Sequence, residues 1–457
     1  MSQKLLFIFL LFSYALTAQN CVESVTCSDD TVSVLLSDGT IYNWGQNGYG
    51  QLGIGTATSE DSPVLFSTQS DWEVLTYGRL HSAGLKNDGT IWSWGNNDLG
   101  QLGNGTNTTS NTPAPIGNEN DWISISAGNL HSVALKSDGT LWGWGNNQAS
   151  ELLDFSIYPA TFTAPVQMST DTDWDKIYAG YFRTFGIKND GTLWGRGNNS
   201  YGAIGTVMQG FINDFTQVGS DADWVKVSGA RSRHTLALKS NGTLWAWGNN
   251  ENGKLGDGTI INRPTPIQIG TSQWKDIAAG VVHSLGIKAD GTLWQWGSYG
   301  WIEGQLLIPN NSSPVQVGTD TDWKSIAAGY SISFAVKEDN TLWGWGFNTL
   351  GWLGNGSTVS TANPVLIIDC TNLSTSDFEN NEISIYPNPT ENYLNWSGNI
   401  TEGSSYEIIN TIGQKIITGT IDLNKKEINV ATIPTGMYVL MIQTKEGNLY
   451  QQKFLKK

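Results

Sequence analysis

The chain has 457 residues, room for more than one domain, with 14% charged residues and a formal net charge of −16. That balance excludes a nucleic-acid partner, whose phosphates would be repelled, and gives no attraction to an anionic membrane surface. Gly, Trp, Asn and Thr are abundant, and runs of β-branched residues are frequent.

Lys4 precedes an apolar run from Leu5 to Leu16, and Thr17, Ala18 and Gln19 follow it. One charge, a short apolar stretch and small residues at the exit predict a secretory signal peptide over residues 1–18, cleaved after Ala18. The run is too short to span a bilayer and no second one follows, so no transmembrane segment is predicted.

From residue 19 to 370 the chain repeats. "LKNDGTIWSWGNNDLGQLGNGT" begins at Leu85, and near copies are anchored on Gly39, Gly89, Gly139, Gly191, Gly242 and Gly291, with Asn340 in the seventh place. The spacings are 50, 50, 52, 51, 49 and 49 residues, and a fixed period of this length marks a solenoid, a propeller or a similar array. Each unit reads as short alternating strands, as in "WISISAG", "HSVALKS" and "GTLWGWG" from Trp122, with a fourth near Pro115. The Asp-Gly between strands two and three signals a tight hairpin. Four strands per unit, seven times over, predict an all-β, seven-bladed propeller. "GYGQLG" at Gly48 formally matches a dinucleotide fingerprint, but no helix follows and the element recurs as "LGQLGNG" and "NGKLGDG". Its glycines are assigned to the loop between strands three and four, and no cofactor is expected.

"AGNLHSVALKSDGTLWGWGNN" from Ala127 resembles the repeat of the regulator of chromosome condensation family, which implies a seven-bladed propeller over roughly residues 21–370. Copies three, four and six lose parts of the G-Q-L-G loop. The best-known activity of that family, nucleotide exchange on a nuclear GTPase with chromatin binding, is not carried over, because an exported acidic protein meets neither. Secreted bacterial members, one of which inhibits β-lactamases with a propeller face, imply extracellular protein binding instead.

Eighteen of the twenty-one tryptophans fall on the repeat grid and read as inter-blade core. Trp301, Trp352 and Trp396 lie off it, the first two in strand three-to-four loops. His81, His131, His234 and His283 share one repeat position on different blades, which suits structural hydrogen bonds better than a metal or catalysis. With no catalytic motif, no enzyme activity and no metal are expected.

One-to-two and three-to-four loops emerge on one face of such a disc. The opposite face carries hairpin and link aspartates and should be strongly acidic. Of six arginines, Arg79, Arg183, Arg231 and Arg233 fall in one-to-two loops beside Tyr181, Phe182 and Tyr330, and Arg196 stands where other copies have Trp. Arginine with aromatics is the composition of interface hot spots. The expectation is a patch for a carboxylate-bearing or acidic partner; the alternative is a chance scatter of solvated loop residues.

Cys21 opens the first strand and Cys370 closes the last, so ring closure predicts a disulfide between them in an exported chain, worth about 4–5 kcal/mol in the loop-entropy model. Cys27 replaces Ala127 of another copy and reads as a buried thiol; a local Cys21–Cys27 bridge is the alternative.

Residues 371–382 are polar and read as a linker. Residues 383–457 show about seven short strands, which predict a small Ig-like β-sandwich. Tyr386-Pro387-Asn388-Pro389, Gly413-Gln414, "IPTGMY" from Ile433 and the "KFLKK" end resemble the C-terminal sorting domain of the type IX secretion system. The resemblance implies contact with that machinery and passage across a Gram-negative outer membrane, to the medium or the cell surface. The reading is an exported, non-enzymatic binding protein for an extracellular protein; a lectin-like propeller binding a glycan through Trp301 and Trp352 is the alternative, and a hydrolase the weaker third.

Overall fold

The computed structural model describes residues 21–207, 210–229, 233–298, 301–302, 305–306, 310–369, 384–397, 400, 402–410, 415–423, 425–443 and 449–457. The chain divides into two compact units, residues 1–373 and 374–457. The predicted signal peptide, the linker, Cys370 and Arg231 lie outside the described residues, so the Cys21–Cys370 bridge does too. The Cys27 thiol is half-buried and donates to Ser28 O at 2.9 Å.

The first unit is built of antiparallel sheets whose strands follow chain order. Blade 1 holds Val22–Cys27, Thr31–Leu36, Ile41–Gly45 and Glu60–Ser67. Blades 2, 3, 4 and 7 repeat that order over residues 72–115, 122–167, 174–217 and 323–368. Blades 5 and 6 are fused: the strand Arg263–Ala279 pairs Gln268 with Trp245 in blade 5, then Ala278 with Leu285 in blade 6. The described strands thus form seven blade-like units of four. First strands of successive blades run side by side, so strand one is innermost. Fourth strands such as Ser110–Pro115 carry the exposed outer edge.

The repeat motif can be read from its hydrogen bonds. In D-G-T-x-W, the Thr90 N–H and hydroxyl donate to Asp88 Oδ1 at 3.0 and 2.6 Å, and the Trp92 indole donates to Thr90 Oγ1 at 3.0 Å. Gly89 sits at φ +78, and Asn340 takes the equivalent turn at φ +63, a region Asn tolerates better than most residues.

The G-Q-L-G loop fastens one blade to the next. The Gln101 carbonyl accepts from the Ser132 hydroxyl at 3.2 Å and the Trp144 indole at 3.0 Å, both in blade 3. The Gln51 carbonyl accepts likewise from Ser82 and Trp94, Ala203 from Thr235 and Trp247, and Lys254 from Ser284 and Trp296. A Cβ on Gly103 would lie 2.7 Å from the Trp144 ring, and one on Gly53 2.7 Å from Trp94 Nε1. These glycines admit an indole, not a pyrophosphate. Between blades 7 and 1, Trp44 donates to Trp352 O at 3.0 Å and packs with Val22, Phe334 and Leu353.

Near the opposite ends of the strands, a lysine lies between two tryptophans in six blades. Lys136 Nζ is 4.7 Å from the Trp122 ring and 5.0 Å from Trp142, while Glu119 and Asp121 hold it at 3.0 and 3.3 Å. Burial works against that charge, but the two carboxylates outweigh it and raise the Lys136 pKa above its ordinary value. Asp71, Asp173, Asp223 and Asp322, or the acid two residues before them, pair with Lys86, Lys188, Lys239 and Lys337 in the same way. Each of these lysines offsets one link carboxylate, and beside Lys136, Lys188, Lys239 and Lys337 a second acid shares the same ammonium.

In the second unit, Ser384–Tyr386, Tyr393–Ser397 and Glu427–Asn429 form one sheet. Ser405–Asn410, Lys415–Thr420, Gly436–Gln443 and Leu449–Lys456 form the other. Leu394, Trp396 and Ile428 of the first meet Ile408, Leu440 and Phe454 of the second in one core. No described helix is long and apolar enough to cross a membrane.

Candidate functional site at the axial mouth

In five blades the residue after the repeat glycine falls at the mouth of the central axis; blade 1 places Asp29 there after Ser28, and blade 5 places Arg233, the residue before its histidine. There the one-to-two loops contribute Asp29, Arg79, Asn129, Tyr181, Arg233, Val281 and Tyr330, one from each blade in order, to a single cavity of about 340 Å³. Backbone bonds tie neighbouring loops together: Asn129 N–H donates to Gly180 O at 3.2 Å, Val281 N–H to Gly329 O at 3.1 Å, and Tyr330 N–H to Asp29 O at 2.9 Å. The ring is thus held by main chain.

Arg79, Arg233 and Lys254 stand against Asp29 and Glu251 around this cavity, a slight cationic excess on an acidic protein. Burial pulls Lys254 down to about 8, partly offset by Glu251. Burial likewise pushes the Asp30 carboxyl up to about 7 against the opposing pull of Arg79, which weakens the negative charge beside the mouth. The Arg233 guanidinium lies 5.9 Å from the Tyr181 ring and 5.7 Å from Tyr201, within reach of both π faces.

Tyr181 and Arg233 also line a second cavity, of about 570 Å³, with Tyr201, Asn198, Pro264 and, at its floor, Arg183. The mouth and this groove are continuous across two side chains.

The structure thus gathers Arg79, Tyr181, Arg233 and Tyr330, the last 48% exposed. Phe182 lines neither cavity; it meets Tyr181 edge-on at 4.6 Å and adopts φ +52, a conformation that is uncommon and strained for a bulky residue. Two positions leave the expected surface patch. Arg183 is not a solvated loop residue but the first residue of Arg183–Lys188, 1% exposed. It fills the place of the repeat histidine, and its Nη2 donates to Gly229 O at 2.9 Å and His234 O at 3.0 Å in the next blade. Burial lowers its pKa to about 9, so it stays charged at neutral pH. Trp352 is half-buried in the core between blades 7 and 1, its ring 5.9 Å from Phe347. Of Trp301 only the backbone is described, paired with Leu306 in a two-residue strand.

Arg196, the arginine at a tryptophan position, is 2% exposed and donates from Nε to Ser150 O at 2.9 Å. It fastens the preceding blade much as the indoles do. The histidines span blades too: His81 meets Ser132 Oγ at 2.9 Å, His131 meets Thr184 Oγ1 at 3.2 Å, His234 meets Ser284 Oγ at 2.8 Å and His283 meets Ser333 Oγ at 2.9 Å. Sequence reasoning missed Lys254 and Glu251 at the mouth; Lys254 is the second residue of the degenerate copy Gly253-Lys254-Leu255-Gly256, where it replaces Gln101, and Glu251 stands two residues before that copy.

Models of the regulator of chromosome condensation (RCC1) repeat match residues 38–85, 88–135 and 241–287, and a second RCC1 repeat model matches 122–150, 174–203 and 323–351. A secretion system C-terminal sorting domain matches residues 384–457. The chain is built of RCC1 repeats and ends in a sorting domain.

The Arabidopsis thaliana ultraviolet-B receptor UVR8 is similar at 31% identity over 100 residues, 20% of this chain and 21% of the receptor; the match therefore spans about a fifth of that relative. Human WBSCR16 superposes with a TM-score of 0.64 at 18% identity, covering 72% of this chain and 94% of its own. Yeast RCC1 (Prp20), bound to Kap60, gives 0.64 at 21% identity, covering 80% and 87%. These likenesses establish the RCC1 propeller fold. Within it, the axial mouth is where this RCC1-repeat chain concentrates arginine, lysine and tyrosine on one face.

Proposed function

We propose that this RCC1-repeat protein is a non-enzymatic binding protein, exported through the type IX secretion system, that grips an acidic extracellular protein at its axial mouth. The observation that carries the reading is the convergence of Arg79, Tyr181, Arg233 and Tyr330 around one cavity, with Lys254 beside them, on a chain of net charge −16. Arg and Tyr are the side chains that dominate interface energetics, and an excess of cations in a concave site attracts carboxylates. The sorting domain, together with the predicted signal peptide, supports export from a Gram-negative cell and delivery to the medium or the surface. A lectin-like role draws no support from Trp352, which is half-buried against Phe347.

The test is affinity capture from extracellular proteins and glycans with paired full-length baits, wild type and Arg79→Glu/Arg233→Glu. A protein held by the first, released by salt and lost from the second supports the reading. Equal capture by both baits removes the mouth as the site, and elution by free sugar moves the assignment to a glycan.

A further inference from the structure

Five of the six lysines held between tryptophans are also held by carboxylates, and blade 6 is the exception. Lys86, Lys136, Lys188, Lys239 and Lys337 each reach an acid at 3.0 Å or less. Those acids sit one and three residues before the strand-one tryptophan, as Asp171 and Asp173 before Trp174, or Asp320 and Asp322 before Trp323. Before Trp274 the same two places hold Thr271 and Gln273. Lys288 keeps its aromatic walls, Nζ lying 3.4 Å from the Trp294 ring centroid and 5.5 Å from Trp274. Among the described residues, however, no carboxylate is within ion-pair distance of it. Asp290, two residues on, is occupied by the N–H and hydroxyl of Thr292 at 3.0 and 2.6 Å.

Beside this ammonium, between blades 5 and 6, is a cavity of about 380 Å³ walled by Lys288, Trp274 and Trp294, with Gln268, Ser272 and Ser313 as further polar lining. Asp257, on the same wall, does not offset the cation, because Arg263 holds it at 2.7 Å. A cation in an aromatic-walled cavity, stripped of the counter-ion its five counterparts keep, is a site that an incoming anion completes.

We propose that this cavity binds a carboxylate-bearing ligand, whose carboxylate takes the place that acidic side chains fill in the other five blades. Because every filled counterpart uses Asp or Glu, the occupant is an acidic side chain of a peptide or protein. The site lies apart from the axial mouth and does not depend on what binds there.

Calorimetric titration of the full chain at low salt tests this, with N-acetyl-aspartate amide as probe and its asparagine analogue and galacturonate as comparisons. Gln273→Asp restores the repeat's own residue and so should fold; it supplies the carboxylate internally. The expected result is binding of the aspartate probe over the asparagine analogue, weakened about tenfold or more in Gln273→Asp and in Lys288→Met, with a raised melting temperature in Gln273→Asp alone. No binding by the wild type, or equal binding by Gln273→Asp, overturns the proposal. Galacturonate bound in place of the aspartate probe overturns the peptide source.

Discussion

Seven residues open strand two of the seven blades: Thr31, His81, His131, Arg183, His234, His283 and Ile332. Four are histidines that reach a hydroxyl in the next blade, and Arg183 reaches two carbonyls there instead. The consequence for Arg183 is structural. Removing it strands two carbonyls and opens a hole, so Arg183→Ala should cost about 2–4 kcal/mol in chemical denaturation. Arg79→Glu and Arg233→Glu, which are exposed, should stay within about 1 kcal/mol. Equal losses for all three would contradict the separation of a buried arginine from surface ones. The histidines also set a pH dependence. Burial lowers His81, His131 and His283 to about 3, and His234 well below its usual value. They stay neutral in the fold and take up protons on unfolding once the pH drops below about 6.5. Glu151 and Asp30 act the other way, since burial raises both to about 7 and the folded state holds their protons where the unfolded state has lost them. Four uptakes against two releases leave a net uptake of about two protons near pH 5.5. Stability should therefore fall between pH 7 and pH 5, and a melting temperature that stays level or rises would count against this assignment.

At the scale of the element, the three-to-four loop explains why a nucleotide fingerprint recurs where, among the described residues, no α-helix follows to complete it. Gly103 holds φ +67 with the Trp144 ring against the place its Cβ would take. Gly103→Ala should thus cost about 2 kcal/mol or more, from the left-handed backbone and the overlap together, read as a shift in denaturation midpoint; an unchanged midpoint would mean that the indole does not seat there. Such elements were legible because each copy confirms the next. The hairpin turns, the tryptophan grid and the strands of the C-terminal unit can all be read from alternation and turn residues. Side-chain environment was harder to read. Arg183 looked like a loop residue because only its alignment with His131 across the repeat, Gly180-Tyr181-Phe182-Arg183 against Gly128-Asn129-Leu130-His131, shows that it enters the strand. The sandwiched lysines carried no signal of their own, since a lysine before a turn usually faces solvent; its two tryptophan neighbours come from strands one and three and meet it only after folding.

For the whole molecule, the ring brings together what the sequence spreads over three hundred residues. Asp29 and Tyr330 are 301 positions apart (330 − 29), yet Tyr330 N–H donates to Asp29 O at 2.9 Å across the closure between blades 7 and 1. The closure needs no borrowed strand: Val22 N–H donates to Asn340 O at 3.2 Å, and Trp44 seats against Phe334 and Leu353. Closure turns seven weakly similar loops into one concave site and leaves each blade a position where a substitution changes that site without disturbing the frame. Tyr181, Arg233 and Tyr330 are such substitutions, and they give the mouth its chemistry. Hydrogen exchange of the full chain, with and without the captured partner, tests that claim most directly. Protection should appear in the one-to-two loops at residues 78–80, 180–182 and 329–331 and in the blade 5 loop at 249–254. Protection confined to the outer strands, with those loops exchanging at their free rate, would contradict an axial binding site.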